Sequence, residues 1–567
     1  MKFDKTTTII LIFCCVLLFA WEPIGRALGW LPPIRPAATT APAAPSQPTA
    51  SAAAAEPSPE PPAEPELTAA EVPDLAPLPA VTLRDKQLAL TFNPLDGAIE
   101  KVTLEEYLNA GRTAPVELDQ SIVGHGALSV FDAGNDWKVL EVTENSLREN
   151  RYTLTRRILT GKQSFLLTQE WTLLPGYQVN CRVTFRNPDA GALQFRWLVV
   201  NGGDVAPWAL LSGDKVRIPS HRLDYLTSND KFVDIKSTED DEDYFVQPPP
   251  QVKWAAVGNK YFATIMTAAA PFQLHQGRAY YHQDGERYEI LTMGAAFPGF
   301  QLAGGESKTL ELRYYTGPKV ISLLDNFDPS TGRVMHLAWG PLDYLARLLL
   351  WILVKLHALI GSYGISIIVL TLLVRILFYP ATARANHSMK KMQAVQPKIK
   401  ELREKYKDDP QVMNTKMMEL YRTEGINPLG GCLPILLQIP VFFALYATLD
   451  GAVELRQVPF LWAHDLAAAD TVARIPLYFF SLPINPLVLA MTALMVIQQR
   501  MTPMAMDPIQ KKMMMAMPIV MLLFLYDLPS GLTLYWTVSN IFSIIQLWLQ
   551  RRNTNTAGTA NCAKTAR

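Results

Sequence analysis

Arg375 lies within the apolar run Ile365-Ser366-Ile367-Ile368-Val369-Leu370-Thr371-Leu372-Leu373-Val374-Arg375-Ile376-Leu377-Phe378-Tyr379, a segment that otherwise reads as a membrane span. A cation near a bilayer centre costs about 2.5–3.5 kcal/mol on insertion scales, so it normally faces a protein interior or a water-filled cavity. The chemistry to expect is noncovalent: a fixed positive charge in a wet cavity within the membrane. Thr371 is four residues earlier on the same helix face, which makes that face polar. A second reading is that Arg375, about 7 Å of helix from Pro380 at 1.5 Å per residue, snorkels to the cytoplasmic surface as a topology anchor. The segment alone leaves both open.

The elements around it must position that charge. Four more apolar segments follow, Cys432 to Leu449, Leu477 to Ile497, Met513 to Tyr526 and Leu532 to Leu549, several of them short against the roughly 20 residues a bilayer usually requires. Short spans dotted with Pro, Gln and Tyr suggest a thinned bilayer or a bundle with a cavity. Leu342 to Ile360 is apolar but carries Asp343, Arg347, Lys355 and His357, which suits a helix lying along the interface. The loop from Ala381 to Asn427 is rich in Lys and Arg. Basic residues recur at Arg500, Lys511 and Lys512, and again at Arg551 and Arg552. With Lys2 and Lys5 these belong on the cytoplasmic side, giving six spans with both termini inside. Within the basic loop Met389, Met392, Val395, Ile399, Leu402 and Tyr406 recur at helical spacing and Asp409-Pro410 breaks the pattern before a second helix from Val412 to Tyr421. That apolar seam predicts a cytoplasmic helical hairpin rather than a solvated basic anchor.

Toward the N-terminus, Thr8 to Trp21 is an apolar stretch of signal-peptide length after Lys2 and Lys5. Small residues at Ala27 and Gly29 fit a cleavage site, but an uncleaved anchor is the expectation, and no lipobox precedes Cys14 or Cys15. Pro32 to Pro79 is dominated by Pro, Ala, Glu and Ser and reads as an extended tether. From about Leu83 to Thr316 the pattern has period two. Leu88, Leu90 and Phe92 alternate with polar neighbours before an Asp96-Gly97 turn, Val179, Cys181, Val183 and Phe185 alternate likewise, and Leu310, Leu312 and Tyr314 repeat the theme. Half-buried antiparallel strands of this kind predict a large β-sandwich outside the cytoplasm, with Cys181 as a small core hydrophobe. The acidic run Glu239-Asp240-Asp241-Glu242-Asp243 lacks calcium-loop spacing and reads as a solvated loop.

Several chemistries are excluded. The 52 Lys and Arg balance the 52 Asp and Glu, which argues against a global surface for nucleic acid. The sequence has no zinc-type Cys/His spacing, P-loop or G-x-G-x-x-G, so neither metal nor nucleotide cofactor is expected. The 5 cysteines are scattered, which makes a disulfide framework unlikely to arise.

Leu373-Val374-Arg375 with Tyr379-Pro380, Asn427-Pro428-Leu429-Gly430-Gly431-Cys432-Leu433-Pro434 with Leu437-Gln438-Ile439-Pro440, Val453-Glu454-Leu455-Arg456-Gln457, and Leu528-Pro529-Ser530-Gly531-Leu532 with Leu534-Tyr535-Trp536 and Val538-Ser539-Asn540 together resemble the YidC membrane protein insertases of bacteria, which have mitochondrial and chloroplast relatives. The anchor, the Pro-rich tether and the sandwich resemble the Gram-negative form, whose outer domain has a galactose-mutarotase-like supersandwich fold. The resemblance implies a multi-domain α+β membrane protein of the inner membrane with six transmembrane helices, a periplasmic sandwich and a cytoplasmic hairpin. Its regions would be an anchor over 1–31, a linker over 32–82, the sandwich over 83–325, an interfacial helix over 338–362, a five-helix core over 363–552 that includes the hairpin over 381–427, and a tail over 553–567.

The resemblance also implies a noncatalytic function, insertion and folding of nascent membrane proteins alone or with the Sec translocon and its accessory subunits. The groove it implies is hydrophilic, open to cytoplasm and lipid, closed toward the periplasm and centred on Arg375, with Thr371, Gln499 and Trp536 lining it and Tyr535 beside them. Two departures bear on partners. The tail after Arg552 holds only Lys564 and Arg567, whereas some relatives use a long basic tail on the ribosome, and Leu-Tyr-Trp stands where some members carry two tyrosines. The methionines Met501, Met504, Met506, Met513, Met514, Met515 and Met517 read as packing, with an adaptable client surface as the alternative. Two rival functions are an ion or solute transporter with Arg375 as its anion site and an envelope enzyme whose sandwich acts on sugars. The first lacks the paired broken spans and internal repeats of many transporters, and five C-terminal spans exceed the needs of an enzyme's anchor.

Overall fold

The computed structural model describes residues 75–120, 126–133, 135–206, 221–236, 249–283, 286–407, 409–425, 433–476, 481–502 and 508–565. The anchor expected over 1–31, most of the linker expected over 32–82, the acidic run at 239–243 and the stretch from Asn427 to Cys432 lie outside them. The described chain forms two compact units, one ending at Met335 and the other beginning at His336.

The first unit is antiparallel. Its 4-stranded sheet runs in sequence order from Val81–Arg84 through Leu88–Asn93 and Ala98–Leu108 to Pro115–Asp119. The 12-stranded sheet is built on the meander Trp137–Arg148, Arg151–Thr160, Gln163–Leu174 and Gln178–Arg186, then continues through Ser307–Pro318, Phe262–Gln283 and Gln251–Gly258 to Arg222–Thr227 and Phe232–Lys236. Period-two alternation dictates this arrangement, because Val179, Cys181, Val183 and Phe185 all point inward and are buried while their neighbours stay out. The two sheets meet face to face where Phe92 of the small sheet packs 5.0 Å from Tyr152 and 4.7 Å from Trp171 of the large one, as a sandwich requires. Arg156 fastens the same contact: its Nη1 donates to the Leu95 carbonyl at 2.8 Å and its Nη2 to Gln169 Oε1. The Asp96-Gly97 turn sits over this pair with φ +67° at Gly97, where a Cβ would fall 2.2 Å from Gln169 Oε1. Burial pushes the Cys181 thiol far up, so it is an inert core side chain. A short helix α1 (Ile321–Phe327) follows the last strand.

The second unit is helical. Helix α2 (Pro341–Ile360) starts with Pro at its first position and ends at Gly361, whose left-handed φ of 79° terminates it. It buries Leu342, Ala346, Leu349, Leu350 and Leu353 against the bundle and exposes Tyr344, Leu348, Trp351 and Leu359. Helix α3 (Tyr363–Lys405) is continuous for 43 residues through Pro380 and Pro397. The boundary read at Pro380 is therefore not a break: the span and the first arm of the hairpin are one helix, because proline removes a single backbone bond. Asp409 caps α4 (Pro410–Thr423) by accepting from the amides of Gln411 and Val412, and Val395 and Ile399 of α3 pack with Met417, Leu420 and Tyr421 of α4.

Helices α5 (Leu433–Gly451), α6 (Pro486–Met501), α7 (Pro508–Phe524) and α8 (Ser530–Thr565) complete the unit. The segment read as a span from Leu477 begins later, since Ala473–Pro476 and Ser481–Ile484 pair as a hairpin and the helix starts only at Pro486. Asp470 fixes that start by accepting from the Leu487 amide at 2.6 Å and from Trp462 Nε1 at 2.9 Å. Among the described residues, 2 helices are long and apolar enough to cross a membrane, Tyr363–Arg384 and Ser530–Leu549, with shorter apolar helices at Pro486–Met501 and Met515–Phe524. Six spans are thus more than length and composition establish here.

Candidate functional site

The two long apolar helices, α3 and α8, bring the site together. The first turn of α8 is held by the preceding loop, with the amides of Ser530 and Gly531 donating to the carbonyls of Ala468 and Leu466 at 2.7 and 2.9 Å. Gly531 lets α8 approach α3, since a Cβ there would lie 3.3 Å from Ile367 Cδ1. From that contact onward the seam is tight. Ser366, Ile367, Leu370 and Thr371 of α3 and every residue from Ser530 to Tyr535 of α8 are buried. Elsewhere on α3, Ile365, Leu372, Leu373, Ile376, Leu377 and Tyr379 are exposed, whereas Thr537, Val538, Ser539, Asn540 and Ser543 of α8 remain buried.

Arg375 lies farther along α3 and is half-buried. Its Nε donates to Ser539 Oγ of α8 at 2.9 Å and its Nη2 donates to the same oxygen. Among the described residues no carboxylate pairs with it. Tyr535, also buried on α8, accepts a 2.5 Å hydrogen bond from Gln438 Nε2 of α5. The arrangement offers a cation held by a neutral hydroxyl, so its charge is available to an anion from outside the protein.

The other expected groove residues divide. Thr371 is buried and its hydroxyl donates to the Ile367 carbonyl of its own helix at 2.7 Å. Trp536 is partly buried and packs edge-on to Phe442 of α5 at 5.0 Å. Gln499 lies near the end of α6, which packs against α8, but Arg375 makes its hydrogen bonds to Ser539 and not to Gln499. Ser539 and Gln438 were not singled out by sequence as groove residues. The signal for Ser539 is a run of small polar residues, Thr533, Thr537, Ser539, Asn540 and Ser543, all buried on an otherwise apolar helix. No cluster of three His, Cys, Asp or Glu side chains that could hold a metal occurs among the described residues.

Comparison with known proteins bears on both units. Residues 355–557 match the family model described as 60Kd inner membrane protein, and residues 80–352 match that of the YidC periplasmic domain. The chain is 36% identical over 423 residues to the membrane protein insertase YidC of Thioalkalivibrio sulfidiphilus, covering 71% of each chain. The chain belongs to the YidC family. The YidC insertase of Geobacter sulfurreducens is 43% identical over 308 residues, a match that spans about half the length of either protein, 54% of each. A solved structure of an active YidC insertase with its first transmembrane domain resolved aligns with 84% of this chain and 95% of its own, at 18% identity and a TM-score of 0.35. The family assignment rests on the sequence matches, which place the YidC periplasmic domain on the β unit and the inner-membrane family on the helical one.

Proposed function

We propose that this chain is a membrane protein insertase of the bacterial inner membrane, acting on nascent membrane proteins without covalent chemistry, alone or with the Sec translocon. The observation that carries the reading is Arg375: a half-buried cation within a long apolar helix, held by a neutral hydroxyl of a second one. A client that carries an acidic group partway into hydrocarbon loses hydration, at several kcal/mol for an unpaired charge. A fixed cation about 4 Å away returns roughly 4 kcal/mol at an effective dielectric of 20, enough to offset much of that loss. The apolar part of the client then moves into lipid along neighbouring helices. In this reading the groove is closed toward the periplasm and open to the cytoplasm and to lipid. Six spans, cytoplasmic termini and a galactose-mutarotase-like periplasmic sandwich complete it, with Thr371, Gln499, Trp536 and Tyr535 around the groove. The lipid bilayer and the ribosome are further partners.

The test is site-specific photocrosslinking from position 536 to a membrane protein arrested during insertion, with position 344 on the outer face of α2 as the control. Strong crosslinks from 536 and weak ones from 344 support the groove. Equal yields from both positions contradict it.

A further inference from the structure

Several hydroxyl-bearing side chains lie along the buried length of α8, and three of them, Thr533, Thr537 and Ser543, satisfy their own helix. Thr533 Oγ1 donates to the Ser530 carbonyl at 3.0 Å, Thr537 Oγ1 to the Thr533 carbonyl at 2.6 Å and Ser543 Oγ to the Ser539 carbonyl at 3.0 Å. Such back-bonding is the usual state of a hydroxyl in an apolar helix. Ser530 donates to the Asp465 carbonyl and Tyr535 accepts from Gln438, while Ser539 meets a charged side chain of α3. Its oxygen is turned toward α3 and accepts two N–H groups of Arg375, from Nε and from Nη2.

The geometry of a guanidinium gives this contact a consequence. Nε and Nη2 form one edge of the planar fork, and Nη1 with the second hydrogen of Nη2 forms another. With the first edge held by Ser539, the second has no protein acceptor among the described residues, and it has the spacing that a carboxylate receives with both oxygens. Ser539 is buried and pinned on a helix whose start is fixed by two backbone bonds to the preceding loop, so the hydroxyl cannot follow a wandering arginine. Without that anchor the long side chain would sample several rotamers.

We propose that Ser539 is a positioning residue that locks the Arg375 guanidinium by one edge and so presents its other edge to a carboxylate on the client. The proposal rests on the groove reading above, which already takes an acidic client group as the ligand, and adds how that carboxylate is received: by the geometry of a held guanidinium edge as well as by charge. It also makes Ser539 and Arg375 one unit. A lysine at 375 is a point donor with no fork to lock, so the serine has little left to position there.

Protease protection of a translocated tail with either no acidic residue or two, read in membranes containing the full-length chain at matched abundance, tests this. Ser539→Ala should lower protection of the acidic tail about tenfold, the scale of losing a hydrogen bond to a charged group, and affect the neutral tail far less. Ser539→Thr, which keeps the hydroxyl, should restore most of the acidic-tail signal. In an Arg375→Lys background, Ser539→Ala should add less than about twofold, since residues acting as one unit do not add. Equal losses on both tails, or an undiminished tenfold loss in the lysine background, would show Ser539 to be packing only and overturn the proposal. If Arg375→Ala itself protects acidic tails fully, the groove reading falls, and this proposal falls with it.

Discussion

Arg156 and Arg375 are both taken out of water, and the protein treats them in opposite ways. Arg156, in the β unit, is almost wholly buried, donates to the Leu95 carbonyl and to Gln169, and lies near the Asp96 carboxyl. Desolvation pulls its pKa down to about 10, and that same burial raises Asp96, with the arginine pulling it back. It joins two sheets and offers no face to a ligand. Arg375, in the helical unit, meets one neutral hydroxyl and is only half-buried. Each guanidinium makes two hydrogen bonds, but those of Arg156 go to two fixed acceptors while its Nε is buried without a partner, and those of Arg375 go to one hydroxyl in a half-buried position: the first is enclosed as a fastener, the second can still be reached by a ligand.

Removing each charge should separate the roles. Arg156→Ala leaves the Leu95 carbonyl and Gln169 without their donor and should destabilise the β unit by roughly 3–5 kcal/mol, read as faster limited proteolysis of that unit in the full-length chain. Arg375→Ala should leave proteolysis of the helical unit near that of the parent. Strong destabilisation by the second change and not the first would reverse the comparison.

Acid should act on the β unit too. His221 is buried there, its Nδ1 accepts from the Leu291 amide at 3.4 Å, and desolvation, with a smaller push from Lys319, lowers its pKa to about 4. The folded pKa lies below the unfolded value near 6.5, so the unfolded state takes up more protons between them. Stability is therefore full above about pH 6.5 and falls as pH drops toward 4, by up to about 3 kcal/mol. His221→Asn should flatten that dependence in a proteolysis series from pH 7 to 4. An unchanged slope would show that His221 is not its source.

The sequence made some of this legible and hid the rest for identifiable reasons. Inward alternation at Val179, Cys181, Val183 and Phe185 survives because a strand's period of two leaves no freedom about which face is buried. The apolar seam of the hairpin read from Val395 and Ile399 is the one that packs on α4. Arg375 announces itself by being charged among hydrocarbon. Thr371 shares its face by periodicity, but whether a hydroxyl turns outward or bonds the carbonyl four residues back is a rotamer choice that spacing does not encode. Ser539 was invisible for the converse reason: only the approach of α3 turns it away from its own helix. The late start of α6 was hidden because Ile475 and Leu482 of the hairpin are as apolar as a span.

The smallest effects belong to the exposed ion pairs of the hairpin. Lys416 and Glu419 meet at 2.8 Å in full solvent contact, and solvent screening leaves such a pair little to contribute. Lys416→Ala should change neither proteolysis nor insertion measurably, and a loss of insertion with folding intact would instead assign that surface to a partner.

The account turns most directly on the charge at position 375. The measurement is protease protection of a translocated tail bearing zero, one or two acidic residues, compared between the parent chain, Arg375→Lys and Arg375→Ala at matched abundance. Lysine should retain substantial insertion of all three tails, while alanine should lose ground with each added acid, about tenfold per residue if each forfeits on the order of 1.4 kcal/mol of attraction. If the alanine variant protects all three tails as well as the parent, the protein does not work through an arginine-centred groove, whatever family it belongs to.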